Sequence, residues 1–332
     1  MIASWARCGD EDCIRLVGLA PGANAEVRPR LTEPVGDLPP MAGRLVRDGE
    51  DFCFVPRFAF VAGATYAIAV EGVTEDVLVR PRPDRPATSE VLDIRPTATE
   101  VPRNLLRFYI LFSAPMSEGC AAGHVRLVDD AGGTMLGALL PTEHELWDGS
   151  RRRLTVLLDP ARIKRGLVTH RQTGYPLQSG RSFRLVVDDG FRDALGIPLR
   201  AQAERRYEVG DEERRRVEPD GWVLTDPRAS TMQPLHVAFD RSLDHGLLAR
   251  CLRVVGPDGG PVDGTPEIGP QERSWQLVPR QPWAPASHQL VVDPVLEDLA
   301  GNSVSRVFDR DLTRPEDEPR EARPVTNTFL PR

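Results

Sequence analysis

Apolar residues recur at every second position in short stretches along this chain. Tyr66, Ile68 and Val70 form one stretch, Phe183, Leu185 and Val187 a second, and His288, Leu290 and Val292 a third. A period of two puts such residues on one face of a β-strand. Ahead of each lies another apolar run that ends at proline: CFVP (53–56), LLDP (157–160) and LVP (277–279). Proline lacks the N–H that ladder pairing needs, so it closes a strand and starts a turn. In the middle of the chain the alternation predicts strands near 91–95, 105–113, 124–129, 134–140, 153–158, 182–188 and 198–207. Short strands at that spacing, with polar turns between them, pack as a two-layered sandwich.

The pattern also repeats. FYILFS (108–113) lies over LHVAFD (235–240), and HVRLVDDAGG (124–133) over CLRVVGPDGG (251–260), both at a separation of 127 residues. SFRLVVDDGFRDALG (182–196) lies over SHQLVVDPVLEDLAG (287–301) at a separation of 105. The chain is therefore a tandem of one β unit, with AGATYAIAV (62–70) matching SGRSFRLVV (179–187) as a divergent first copy. The paired glycines at 132–133 and 259–260 suit hairpin turns that need positive φ. In the Asp193–Gly196 and Asp298–Gly301 turns, the Asp is expected to cap the backbone and the Gly to turn left-handed.

Composition narrows the function classes. With Lys+Arg 42 against Asp+Glu 49, the net charge of −7 argues for solubility and against a nucleic-acid partner. Pro 31 and Gly 28 oppose long helices. No apolar run is long enough to span a membrane as a helix, and MIASWARCGDEDC lacks the apolar stretch of a signal peptide.

FSAPM (112–116), P-L-x-x-G-x-x-F (176–183) and D-A-L-G-I-P-L (193–199) together resemble the bacterial Ig-like domain described in S-layer proteins. DLAGN (298–302) is similar to that family's turn, although FDRSL (239–243) lacks the proline, and RLTEPV (30–35) stands at the equivalent place in the first copy. The resemblance implies an all-β chain of three tandem immunoglobulin-like β-sandwich domains in an elongated string. These are a shortened domain at 1–85, a domain at 90–209 and a domain at 217–313. It implies an exported, extracytoplasmic structural or adhesive role and brings no catalytic residue. VRPRPDRPATSE (79–90) reads as a linker, and DEERRRVE (211–218) as a solvated connector. The tail 314–332 is expected to be extended or disordered, although VTNTFL (325–330) has the pattern of a short strand at a sheet edge.

The middle copy carries an insertion that the third lacks. Between Gly137 and Ser182 it adds DPARIKRGLVTHRQTGYPLQSG, which concentrates Arg162, Lys164 (the one lysine of the chain), Arg165, His170, Arg171 and Tyr175. Arginine forks grip carboxylates and phosphates, and tyrosine stacks on sugars. The loop 151–181, with Trp147 beside it as an exposed stacking platform, is thus a candidate site for an anionic glycan or an acidic protein surface. Against this stands a solvated loop, or one paired with acids of a neighbouring domain. The six histidines are scattered, HELW (144–147) lacks a second zincin histidine, and no nucleophile elbow or P-loop occurs. No catalytic residue, cofactor or metal site is expected. Of the five cysteines, Cys8 and Cys13 are a disulfide candidate in an oxidising compartment, while Cys53 and Cys251 read as small core residues.

Overall fold

The computed structural model describes residues 1–9, 11–30, 40–81, 86–141 and 144–332. The expected linker at 79–90 and the RLTEPV segment at 30–35 therefore lie partly outside the described residues. The chain forms two compact units, Met1–Thr88 with Arg192–Pro198, and Ser89–Phe191 with Leu199–Arg332.

In the first unit, strands Ile2–Cys8, Glu11–Val17, Asp51–Pro56 and Gly43–Asp48 make one antiparallel sheet in that spatial order. Ala25–Arg30, Thr65–Val70 and Val73–Val79 make the other. Ile14, Leu16, Phe54, Val27, Tyr66 and Ile68 bury their side chains between the two sheets. Trp5, Phe60 and Tyr66 pack edge to face, the Trp5 and Phe60 rings 4.9 Å apart. This domain keeps all seven strands, so its short sequence reflects short loops rather than a lost layer.

The second unit holds two such domains. In one, Leu146–Trp147, Arg153–Leu157, Arg107–Phe112 and Val91–Arg95 pair in that order. They face a sheet of Val125–Asp129, Ser182–Val187, Ala203–Gly210 and Glu100–Pro102, the last running parallel to its neighbour. In the other, Val223–Thr225, Leu235–Ala238, Ser274–Pro279 and Gly264–Ile268 oppose Leu252–Val255, His288–Val292 and Val325–Phe329. In every domain the first, second, fifth and fourth principal strands share one sheet, and the third, sixth and seventh share the other. That connectivity is the immunoglobulin fold. Phe108, Phe183 and Tyr207 centre the middle core, and Trp275 and Trp283 lie in the third.

Three boundaries differ from the sequence expectation. The segment 134–140 makes only single bridges, Val128 to Thr134 and Leu139 to Leu158. The last strand of the middle domain begins at Ala203, because the Asp193 turn and the Pro198–Leu199 exit use the preceding residues. The tail is ordered: Val325–Phe329 pairs with His288–Val292 as the seventh strand of the third domain. Phe329 is buried and stacks on His288 at 5.4 Å. The third domain therefore extends well past residue 313, and the long excursion before its last strand hid that end.

The turns form as their residues require. Gly132 and Gly259 adopt φ of +86° and +82°. Asp193 Oδ1 accepts from the N–H groups of Leu195 and Ile197, and Asp298 Oδ1 from those of Ala300 and Asn302. No helix among the described residues is long and apolar enough to cross a membrane.

Candidate functional site

The basic insertion folds as two short helices, Pro160–Ile163 and Val168–Thr173, between the fifth and sixth strands of the middle domain. Asp159 caps the first by accepting from the Ala161 N–H at 2.9 Å, and the fully buried Ile163 pins it to the core. The Arg162 guanidinium turns inward and donates to the carbonyls of Gly174, Gly137 and Tyr175. His170 meets the Arg162 carbonyl through Nδ1, and its ring stands edge-on to Tyr175 at 4.6 Å. Tyr175 is buried beneath Arg103 and donates its hydroxyl to Glu212 at 2.7 Å. Burial and the Glu212 carboxylate push the Tyr175 hydroxyl up to about 12.

Further out, Arg165 pairs with Asp309 at 3.2 Å and reaches Glu212 at 3.9 Å, and Lys164 lies 4.7 Å over the Phe308 ring. Arg171 is exposed on the second helix. The structure thus brings Arg162, His170 and Tyr175 together and sends Lys164 and Arg165 to residues of the third domain. Trp147 is not part of that group. Its ring packs half-buried on Phe112 and Phe191, and its indole N–H donates to Glu145.

The largest concentration of buried charge lies where the second and third domains meet. Glu272, fully buried, extends from the third domain to accept from the Thr97 N–H at 2.7 Å, the Thr97 hydroxyl at 3.0 Å and Arg95 at 3.1 Å. Burial raises its pKa, but His245, Thr97 and Arg95 outweigh that and hold the carboxyl below its ordinary range. Gln271 and Glu272 reach this place with φ of +57° and +53°, a strained conformation for residues bearing a Cβ. Alongside, Arg107 binds Asp244 at 3.3 Å and also pairs with Glu297, while the Tyr109 hydroxyl donates to both Asp244 oxygens. The same Asp244 caps helix His245–Cys251 through the Leu247 N–H.

The connector between these domains is stitched into the joint rather than solvated. The Asn104 side-chain amide accepts from the Glu213 N–H and donates to the Glu213 carbonyl, which also receives Asn302 from the third domain. Arg214 donates to Asp309, the carboxylate that Arg165 also binds. Arg241 donates to the carbonyls of Arg215 and Arg216 and meets Asp298 at 3.3 Å. Burial drives the Asp298 carboxyl up to about 7, against the opposing pull of Asn302 and Arg241. Leu299 inserts into the hydrophobic core of the middle domain, and its carbonyl accepts from the Leu106 N–H.

Sequence reasoning missed this joint, although the repeat held a signal. The backbone bond from Met116 to the Arg151 carbonyl matches that from Leu243 to the Glu272 carbonyl. Arg151 has φ of +54°, so the two copies share a left-handed residue but place opposite charges on it. At the aligned positions Asp244 replaces Ser117 and Glu297 replaces Arg192. The third copy has acquired acids where the second has none.

Cys8 and Cys13, the disulfide candidates, are free thiols in this structure. The two residues sit diagonally across their hairpin, Cys8 opposite Glu11 and Cys13 opposite Ala6. Among the described residues, no group of three or more His, Cys, Asp or Glu is placed to hold a metal ion.

No family model matches the chain, and no curated protein matches it. Among solved structures, the extracellular region of plexin A4 matches with 10% identity over 93% of this chain, at a TM-score of 0.25. The chain spans 33% of that region. The FN1–FN3 domains of chicken CNTN1 match with 11% identity over 99% of this chain and 98% of theirs, at a TM-score of 0.20. Domains MG0-NIE-MG1 of alpha-2-macroglobulin from Escherichia coli match with 10% identity over 74% of this chain and 91% of theirs, at a TM-score of 0.25. At such values the likeness assigns nothing, and the fold stands on strand connectivity alone.

Proposed function

We propose that this protein is a non-enzymatic structural or binding module of the bacterial cell envelope or exterior, built from Ig-like domains of the S-layer protein type. Within it the second and third domains act as one stiff strut. The buried Glu272 carboxylate, held across the joint by Arg95 and Thr97, carries this reading. A carboxylate taken out of water needs its donors in fixed places, so bending the joint would leave a buried charge unpaired.

The basic insertion fits the same role. Arg162 is spent on three carbonyls, Arg165 on Asp309 and Glu212, and Tyr175 on Glu212. The loop acts as a clasp on the connector and the third domain more than as an open site for an anionic glycan. Calorimetry of the full chain tests the strut. The second and third domains are expected to unfold in one transition, which splits in an Arg107→Ala/Glu272→Ala double variant. Separate transitions for these two domains in the unaltered chain would show the strut reading to be wrong. Cell fractionation checks the envelope assignment, which fails if the protein is recovered in the cytosol.

A further inference from the structure

Three of the five cysteines, two from one hairpin and one from forty residues further on, share one face of the first sheet. Ala6 stands opposite Cys13 and Cys53 opposite both Arg15 and Val46. Side chains two residues apart share a face, so Cys8, Cys13 and Cys53 project to the same side across three adjacent strands. This side is turned away from the Ile14, Leu16 and Phe54 core. There Cys13, Cys53 and Val55 form a separate small cluster, flanked by Ala6, Cys8 and Val46.

The three thiols differ in access. Cys13 and Cys53 are fully buried, whereas Cys8, at the end of the edge strand Ile2–Cys8, is half-buried. Burial and the neighbouring Cys53 thiol push the Cys13 thiol up to about 12, so Cys13 alone is a poor nucleophile toward solvent oxidants. The Cys53 thiol lies 4.0 Å from Asp48, whose carboxylate is held by Arg15.

We propose that these residues form a thiol relay: Cys8 is the entry point for a low-molecular-weight disulfide, and a buried Cys13–Cys53 disulfide is the end product. The Cys8 thiolate attacks one sulfur of the external disulfide, whose S–S bond breaks. The departing thiolate takes up the proton Cys8 gave up. Cys13, deprotonated in turn, attacks the Cys8 sulfur and expels the second external thiol. Cys53 then attacks Cys13, and Cys8 returns to its thiol form. In sum, two protein thiols and one external disulfide give one protein disulfide and two external thiols.

The test uses the full-length reduced protein with oxidised glutathione as the probe, under native conditions. Samples are quenched with acid, alkylated and mapped by mass spectrometry. The expected product has lost two hydrogens, carries a Cys13–Cys53 bond and leaves Cys8 free. Cys8→Ser should close the same bond about tenfold more slowly, and Cys53→Ser should stop at a Cys8–Cys13 disulfide. Circular dichroism confirms that each variant is folded. A mixed disulfide that stays on Cys8 of the unaltered protein, no reaction at all, or a Cys8→Ser variant that oxidises as fast as its parent would each overturn the relay.

Discussion

The carboxylate of Glu272 accepts the backbone N–H of Thr97 at 2.7 Å, from the far side of the joint between two sandwiches. The acceptor is fully buried and stands on a left-handed backbone. Removing it leaves the Thr97 amide without its acceptor and Arg95 with Asp93 alone. Glu272→Ala is therefore expected to destabilise the unit by about 3 kcal/mol, as for one half of a buried ion pair. Glu272→Gln, which keeps one acceptor oxygen, should lose less. Urea titration of both variants, followed by tryptophan fluorescence, measures the difference.

Gly301 meets two constraints at once. Its φ is +81°, and a Cβ added there would lie 2.6 Å from Leu106 Cδ2. Gly301→Ala must strain the Asp298 turn and also displace the Leu106 side chain of the second domain. A loss of about 2 kcal/mol is expected in thermal unfolding. Gly259→Ala has a similar φ of +82° but open space around it, so it should lose less. The gap between the two variants reports the contact across the joint.

Asp298 should give the joint a pH dependence opposite to that of Glu272. Its folded pKa is raised to about 7 by burial, so the folded state holds a proton that the unfolded state releases near 4. The resulting stability is present below the unfolded value and is lost as pH rises through about 7. Asp298→Asn removes that titration. The stability of the unaltered protein relative to this variant should fall between pH 4 and 8, read as the difference of two melting curves at each pH. Glu272, with its pKa lowered, contributes above the ordinary carboxylate range and loses that contribution on acidification.

Within the basic insertion, the inward and outward cations should separate cleanly. Arg162→Ala strands three carbonyl acceptors and is expected to destabilise by about 2 kcal/mol. Arg171→Ala, on the exposed face of its helix, should stay within about 0.5 kcal/mol. Arg165→Glu sets an acid against Asp309 and Glu212 and should cost about 1 kcal/mol, more at low salt than at high. Thermal melts at two salt concentrations check all three.

The strands, the tandem and the four Gly and Asp turns were legible in the sequence because each depends on local rules. Alternation sets a face, and a left-handed turn calls for glycine. The same rules missed the seventh strand of the third domain as part of its sandwich, since Val325–Phe329 lies beyond a long stretch with no periodicity. The clustering of cations at 162–175 was visible, but their direction was not. Whether Arg162 faces water or carbonyls is decided by the helix that Asp159 starts and Ile163 anchors. Trp147 was expected at the surface and instead joins Phe112 and Phe191, because the short strand that carries it pairs with Arg153–Leu157. The joint depends on residues more than a hundred positions apart, such as Thr97 and Glu272, and no spacing rule links them.

The backbone of Glu213 is held at its N–H and carbonyl by Asn104, and at the same carbonyl by Asn302. A connector held in this way has no slack to give. Tension between the second and third domains passes directly into side-chain amides anchored in both sandwiches, and the joint stretches only by breaking those bonds. An array assembled from such pairs has a fixed pitch set by its chemistry rather than by the length of its spacers.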